Sequence, residues 1–428
     1  MRRGIAAAVL ATAIAVSASA CGGSGSSAGS STKANGPVTI TWWDTSDATN
    51  EAPTYKALVA AFEAANPTIK VNYVNVPFGT AEAKFQTAAG SSGAPDVLRS
   101  DVGWTPAFAK AGFLAPLDGT PAMADQSAFE ASLIKQASFG GHVYGAPQVT
   151  DTLGLMYNKE LFAKAGITAA PTSWDALKAD AAVIKQKAGV DGFALEASGY
   201  YGMPFLFGEG TDLVDAASNK ITVNSAAAVK AITTAKSFIG APGVSKLDIT
   251  ANADTDIMDA FESGKVAMVV QGPWDITNVY SGSAFGNHAN LGIAAVPAGS
   301  TGTAGAPTGG QNLVAYAGAD AAHLAASEKF IAFMTSAASE TTVALKNGTL
   351  PARSDAYTAA VNADPGIAGF QAILSHSVPR PALPEYSSLY TPFGNDYTKI
   401  LLGQESVQSG LDTTAAAIGK LLPGFSDQ

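Results

Sequence analysis

Two hydrophobic periods take turns along this chain, and their alternation restricts the folds open to it. Val38, Ile40 and Trp42 alternate with polar residues, as in a half-buried strand. Tyr55, Leu58, Val59 and Phe62 then recur at helical spacing, and the run stops before Pro67. Ile69, Val71 and Tyr73 return to the strand period. Thr172 to Asp175 has the pattern of a capping box and opens a helix with Trp174, Leu177, Ala181 and Ile184 on its inner side. Ser225 is placed to cap an Ala-rich helix. Ile257, Met258 and Phe261 lie on another, which Gly264 ends. Lys265 to Val270 is an apolar strand leading into Gln271-Gly272-Pro273-Trp274. Alternation of this kind predicts an α/β fold with mostly parallel sheets and helices on their faces.

The chain has 428 residues, of which 47% are hydrophobic and 14% charged, enough apolar material for a sizeable core in two or three domains. A net charge of −10 without basic runs argues against a nucleic-acid partner, whose affinity rests on Lys and Arg at phosphates. One Cys excludes a disulfide framework. His142, His288, His323 and His376 show no ligand spacing, so no metal and no cofactor is expected. There is no phosphate-binding loop and no HExxH, and the one GxSxG match, Gly25 to Gly29, has no strand before it or helix after it.

The first twenty residues read as an address. Arg2 and Arg3 precede an apolar run from Gly4 to Val16, and small residues follow, the order of a secretory signal. The run is too short to span a bilayer as a helix. Ala18-Ser19-Ala20-Cys21 resembles a bacterial lipobox, with Ala in place of the usual first Leu, so Cys21 is the expected lipidation site. Residues 21–36 form a Gly/Ser/Ala linker. This order describes an extracytoplasmic domain tethered to the outer face of the cell membrane.

A set of ordered motifs carries a family likeness. These are Thr41-Trp42-Trp43-Asp44, Ala94 to Leu98 with Asp101 and Trp104, Gly112 to Asp118, Pro147 to Asp151 and Leu155 to Phe162. Pro171 to Asp175, Phe261 to Met268 with Gly272-Pro273-Trp274, and Gly348 to Arg353 complete it. Together they resemble the extracellular solute-binding proteins of carbohydrate ABC importers, nearest to the maltose/maltodextrin-binding lipoproteins of actinobacteria. The resemblance implies a two-lobed, type II periplasmic-binding-protein fold with a ligand cleft between hinge-linked lobes. It places lobe one at 37–149 plus 311–355 and lobe two at 150–310 plus 356–428. It also implies a monomer that closes about a sugar and is then recognised by permease subunits.

A sugar needs flat aromatic platforms for its C–H faces, and carboxylates, amides or Arg for its hydroxyls. Trp274 matches a family Trp that stacks on a sugar ring, and Asp151, at the first crossover, an acid that accepts from sugar hydroxyls. Asp101, after the Val97-Leu98 strand, matches a ligand acid of trehalose/maltose relatives, with a helix N-cap as its bland alternative. One of Tyr200 and Tyr201 is expected on the sugar and the other in packing, while Ser198 stands where the maltose protein carries Glu. Tyr390 falls where that protein has a stacking Trp, and Arg380 resembles an Arg ligand. Asp44 and Glu51 flank the first strand-to-helix loop, and Gln311 enters the second crossover. Arg99 is expected to pair with a cleft carboxylate, Trp42 to be core, and Trp43 to face the cleft.

The resulting expectation is a non-catalytic receptor for maltose or maltodextrin, with trehalose or another oligosaccharide as the alternative ligand. A secreted glycoside hydrolase using Asp101 and Asp151, or a receptor for a peptide or siderophore, are the competing classes.

Overall fold

The computed structural model describes residues 37–91 and 93–427. The expected signal, Cys21 and the linker lie outside the described residues.

β1 (Val38–Asp44) runs parallel to β2 (Ile69–Asn75) on one side and β3 (Val97–Asp101) on the other. The connections are α1 (Ala52–Ala65) and α2 (Phe78–Ala89). α1 starts with a proline in its first turn, buries Tyr55, Leu58, Val59 and Phe62, and ends at Asn66 before Pro67. After α3 (Thr105–Lys110) the chain reaches β4 (Gly145–Asp151), then leaves this sheet for more than 150 residues. It returns as β9 (Gly309–Ala315), which inserts antiparallel between β3 and β4. β10 (Leu350–Pro351) completes the order β10-β4-β9-β3-β1-β2.

The excursion builds the second lobe. β5 (Gly154–Asn158) lies between β6 (Met268–Gln271) and β7 (Leu291–Ala295), antiparallel to both. Around this sheet stand α4 (Trp174–Ala188), α5 (Gly199–Gly208), α6 (Ala226–Lys236) and α7 (Ala253–Glu262). The short pair β8 (Ala306–Pro307) and β11 (Ser377–Val378), then α10 (Tyr386–Leu401) and α11 (Val407–Leu421), complete it. α8 (Ala321–Met334) and α9 (Ala337–Asn347) belong to the returning chain.

The expectation of mostly parallel sheets is corrected. Only the two pairings made by β1 are parallel in the large sheet, and the second sheet is antiparallel throughout. Parallel pairing elsewhere among the described residues is limited to two-residue pairs, β8 with β11 and Ser426–Asp427 with Lys220–Ile221, and to isolated bridges such as Phe193 with Val244. The physical reason is the crossover: a strand that re-enters from the other lobe arrives from the opposite end of the sheet, so β9 runs against β3. Local capping follows the sequence more closely. Ser173, not Thr172, accepts the cap bond of α4, from the Ala176 amide at 3.2 Å, and Trp174, Leu177, Ala181 and Ile184 are buried as the spacing requires.

Each face of the large sheet has its own core. Trp42 packs with Tyr55, Phe62 and Phe330 on one face. Trp43, one residue on, points to the other face and packs with Phe85, Leu98 and Trp104, so it serves a core and not the cleft. A further cluster joins the lobes: Ala344 and Leu350 meet Met156, Ile276 and Phe370.

Phe330 on α8 is fully buried, with ring centroids 5.1 Å from both Trp42 and Phe62. Phe330→Ala is expected to cost about 3–5 kcal/mol through lost burial and the cavity left behind. Urea unfolding should show a lower midpoint at unchanged slope; an unshifted midpoint would contradict this account of the core.

Candidate functional site

The register of β9 sets the geometry of the cleft. Gln311 lies opposite Asp101 on β3, and Gly309 lies opposite Asp151 on β4. The two acids therefore flank β9 at the sheet end that meets the second lobe. A side chain at position 309 would run into the Asp151 carboxylate and come within 3.1 Å of the Tyr200 hydroxyl. Glycine there leaves the space in which Asp151 and Tyr200 meet. Gly310 has φ +129°, a backbone shape other residues rarely adopt.

From the second lobe, Arg380 reaches back to the sheet. Its Nη1 and Nη2 donate to Asp101 Oδ1 and Oδ2 at 2.8 and 3.2 Å, and its Nε donates to the Thr308 carbonyl at 3.0 Å. Both side chains of this two-point pair are largely buried. Asp101 also accepts the Gly103 amide at 2.7 Å. It thus tightens the turn after β3, and the helix N-cap expected as its alternative is filled by Trp104. Gly103 makes room for the pair, since a Cβ there would lie 2.6 Å from Arg380 Nη1 and from Ser387 Oγ.

Tyr200 stands near the start of α5 and Tyr390 on α10, their rings 6.1 Å apart. The helices approach this closely because Gly199 faces the Tyr390 carbonyl and Gly394. The Arg380 guanidinium lies 5.9 Å from the Tyr200 ring centroid. Among the described residues the Ser387 hydroxyl is buried without a partner, and the buried Tyr390 hydroxyl has only the Tyr386 hydroxyl beside it. Buried hydroxyls are normally satisfied, so these are hydrogen-bonding groups held in reserve.

The Asp151 carboxylate receives no hydrogen bond from any described residue. Burial pushes its carboxyl up to about 7; Arg380 opposes that rise and Asp101 adds to it. Trp274 folds its ring over Gly272 and joins Tyr200, Tyr201 and Leu153 in a small apolar cluster beside the acids. Tyr201 turns into the second lobe, donating to Gln271 Oε1 at 2.6 Å. The Gln311 side-chain oxygen is buried beside Asp101 and has no partner among the described residues.

Asp44 and Glu51 meet on Arg99, and the charge of Glu51 still reaches Asp151. Asp44 is fully buried and accepts from the Tyr73 hydroxyl at 2.6 Å and from the amide and hydroxyl of Ser46. Glu51 accepts the Asp47 amide at 3.0 Å, and burial raises its pKa against the pull of Arg99. Arg99 is the hub of this second network, 4.0 Å from Asp44 and 3.7 Å from Glu51, with its Nε on Gln148 and its Nη2 on the Tyr55 hydroxyl. Asp101, Asp151, Tyr200, Arg380 and Tyr390 thus converge, Gln311, Trp274 and Tyr201 adjoin them, and Asp44 and Glu51 belong to the Arg99 network.

Sequence reasoning passed over Asp275. One of its oxygens accepts from Asn278 Nδ2 at 2.9 Å and the other is buried with no partner among the described residues. Burial, then the charge of Asp254, lifts its carboxyl to about 7. Its position directly after Trp274 was the available signal.

Residues 47–341 match the model of the bacterial extracellular solute-binding proteins, and the chain belongs to that family. It is similar to the GacH receptor of Streptomyces glaucescens, whose structures are unliganded and in complex with acarbose and an acarbose homolog. The identity is 40% and the TM-score 0.86, across 91% of this chain and 99% of that one. A binding protein of Brucella abortus is 32% identical over 263 residues, so the match spans 59% of this chain and only 62% of that curated relative. The diacetylchitobiose-binding protein DasA of Streptomyces coelicolor is 31% identical over 158 residues, 37% of either chain.

The Asp151 carboxyl titrates at about 7 in the native protein and at about 4 in an unfolded chain. Between these values the unfolded state gives up its proton while the native state keeps it. The stability that Asp151 contributes therefore falls as pH rises from about 4 to about 7 and is level above. Asp151→Asn should flatten this part of the stability profile, with its gain over the wild type growing up to about pH 7. Urea midpoints across that window decide it, and parallel profiles for the two proteins would be the contrary result.

Proposed function

We propose that this chain is the sugar receptor of an ABC importer, with maltose or a maltodextrin as its ligand. The observation that carries the reading is the convergence, at the lobe boundary, of a carboxylate to which no described residue donates, the buried hydroxyls of Tyr390 and Ser387, a buried guanidinium and several aromatic rings. Carboxylate and hydroxyls match the rim of a sugar, and Tyr200, Tyr390 and Trp274 supply faces for its C–H groups. Similarity to a receptor with acarbose bound supports a saccharide ligand, as does similarity over part of the chain to the maltodextrin-binding protein MdxE of Bacillus subtilis. Trehalose or another oligosaccharide is the alternative within the same mechanism. The hydrolase reading is disfavoured because Asp101 is tied at both oxygens to Arg380 and is no free partner for Asp151.

In this reading lobe one comprises 37–149 plus 311–355 and lobe two 150–310 plus 356–428, with the crossovers near β4 and β9 as hinges. The lobes close about the sugar, and the closed monomer presents both lobe surfaces to the permease subunits. The receptor is exported by the N-terminal signal and held at the outer face of the membrane through lipidated Cys21.

Thermal unfolding of residues 37–428 with glucose, maltose, maltotriose, maltotetraose and trehalose, each alone, tests the proposal. Ligand at 100 times its Kd stabilises the native state by about 2.7 kcal/mol, a Tm rise of about 5–10 °C for lobes of this size. The rise is expected with maltose and its longer homologues, and Trp274→Ala should reduce it. A rise with trehalose alone would move the ligand and keep the mechanism; no rise with any sugar would sink the reading.

A further inference from the structure

Two of the rings at the lobe boundary stand on helices that share a weakness. Tyr200 lies on α5 and Tyr390 on α10, and each helix carries a proline inside it, Pro204 and Pro392. Proline has no amide hydrogen. Pro204 therefore cannot donate to the Tyr200 carbonyl, nor Pro392 to the Ser388 carbonyl, one turn back in each helix. The turns that present the two rings lack a helical hydrogen bond, so part of what fixes the rings comes from outside these turns.

Tyr386 opens α10 one turn before Tyr390, on the same side of the helix. It is fully buried, and its ring meets Tyr390 edge to face, with centroids 5.7 Å apart and planes at 89°. Its hydroxyl donates to Asp212 Oδ1 at 2.7 Å. Asp212 lies on the loop that leaves α5, and the same oxygen accepts the Leu213 amide at 2.6 Å. This bond therefore ties the start of α10 to the chain leaving α5, the two helices whose tyrosine rings stand 6.1 Å apart. Among the described residues no Lys, Arg or His pairs with Asp212, and none donates to its other oxygen. Asp212 also lines an open cavity of about 920 Å³ with Phe207, Thr211 and Val378, outside the cleft. No counter-charge holds the carboxylate; the Tyr386 hydroxyl and the Leu213 amide do.

We infer that Asp212 and Tyr386 are positioning residues for sugar binding. Asp212 holds Tyr386, and the edge of Tyr386 sets the angle at which Tyr390 offers its face beside Tyr200. Neither residue touches the sugar; both act through Tyr390. This rests on the sugar-receptor reading and adds to it the residues that hold the stacking ring.

Isothermal titration of residues 37–428 with maltose and maltotriose tests it, on the wild type, Tyr386→Phe, Asp212→Leu, the double variant and Asp212→Asn. Tyr386→Phe and Asp212→Leu should each lose about threefold to tenfold in affinity, the worth of one hydrogen bond. The double variant should lose no more than the larger of the two, because both changes break the same bond. Asp212→Asn keeps an oxygen for Tyr386 and Leu213 and should bind within about twofold of the wild type. Tyr386→Phe removes a single oxygen and carries the test if Asp212→Leu does not fold. Wild-type affinity in Tyr386→Phe, even with a lower urea midpoint, would make the bond structural only and overturn the inference. So would an Asp212→Asn that loses as much as Asp212→Leu. A wild type that binds no sugar overturns the receptor reading instead, and the positioning role with it.

Discussion

Strand β9 has no neighbour in sequence to pair with, and both lobes depend on where it lands. Its backbone groups must be satisfied, and they are satisfied on one edge by β3 and on the other by β4. A slip of one residue would turn Leu313 and Ala315 off the face they share with Trp42 and into the other core, where Val314 packs with Trp43 and Leu98. The same register decides how far apart the two cleft acids stand, because Asp101 and Asp151 are each read off against β9. Thr308, the residue just before the strand, then offers its carbonyl to Arg380, so the loop that delivers β9 also seats the guanidinium.

Charge is distributed around two arginines with different duties. Arg99 gathers Asp44, Glu51, Gln148 and Tyr55 inside the first lobe. Arg380 crosses from the second lobe to Asp101. Buried ions are costly to leave unpaired, so each arginine holds its carboxylates in one geometry. The boundary between lobes is uneven as a result. On one side Ala344 and Leu350 share an apolar cluster with Ile276 and Phe370. On the other, Arg380–Asp101 and an exposed Lys110–Glu385 contact at 2.6 Å are ionic. Apolar contact is non-directional and tolerates small rotations, whereas a two-point ion pair has one good geometry.

Elements whose partners are local were legible in the sequence. β1, α1, β2 and α4 follow their hydrophobic periods, and the buried set Trp174, Leu177, Ala181 and Ile184 is the one the spacing names. Strand direction was not legible, because β9 takes its orientation from the path of the chain through the other lobe. The same split holds for the site. Asp101, Asp151, Tyr200, Arg380 and Tyr390 were named through a family likeness, and they converge. Asp44 and Glu51 were named from a loop position, yet the adjacency of β1 and β3 delivers them to Arg99. Asp275 left only its place beside Trp274 as a mark, since a lone carboxylate near a helix start reads as surface until burial is known.

The space between Asp151 and Tyr200 is encoded by what residue 309 lacks. A carboxylate or a ring could be exchanged for a similar one, but the missing side chain at Gly309, like those at Gly103 and Gly199, has no conservative replacement. For protein engineering this makes position 309 a volume control: one added methyl group, placed from the backbone of a central strand, would push directly on the Asp151 carboxylate and crowd the Tyr200 hydroxyl.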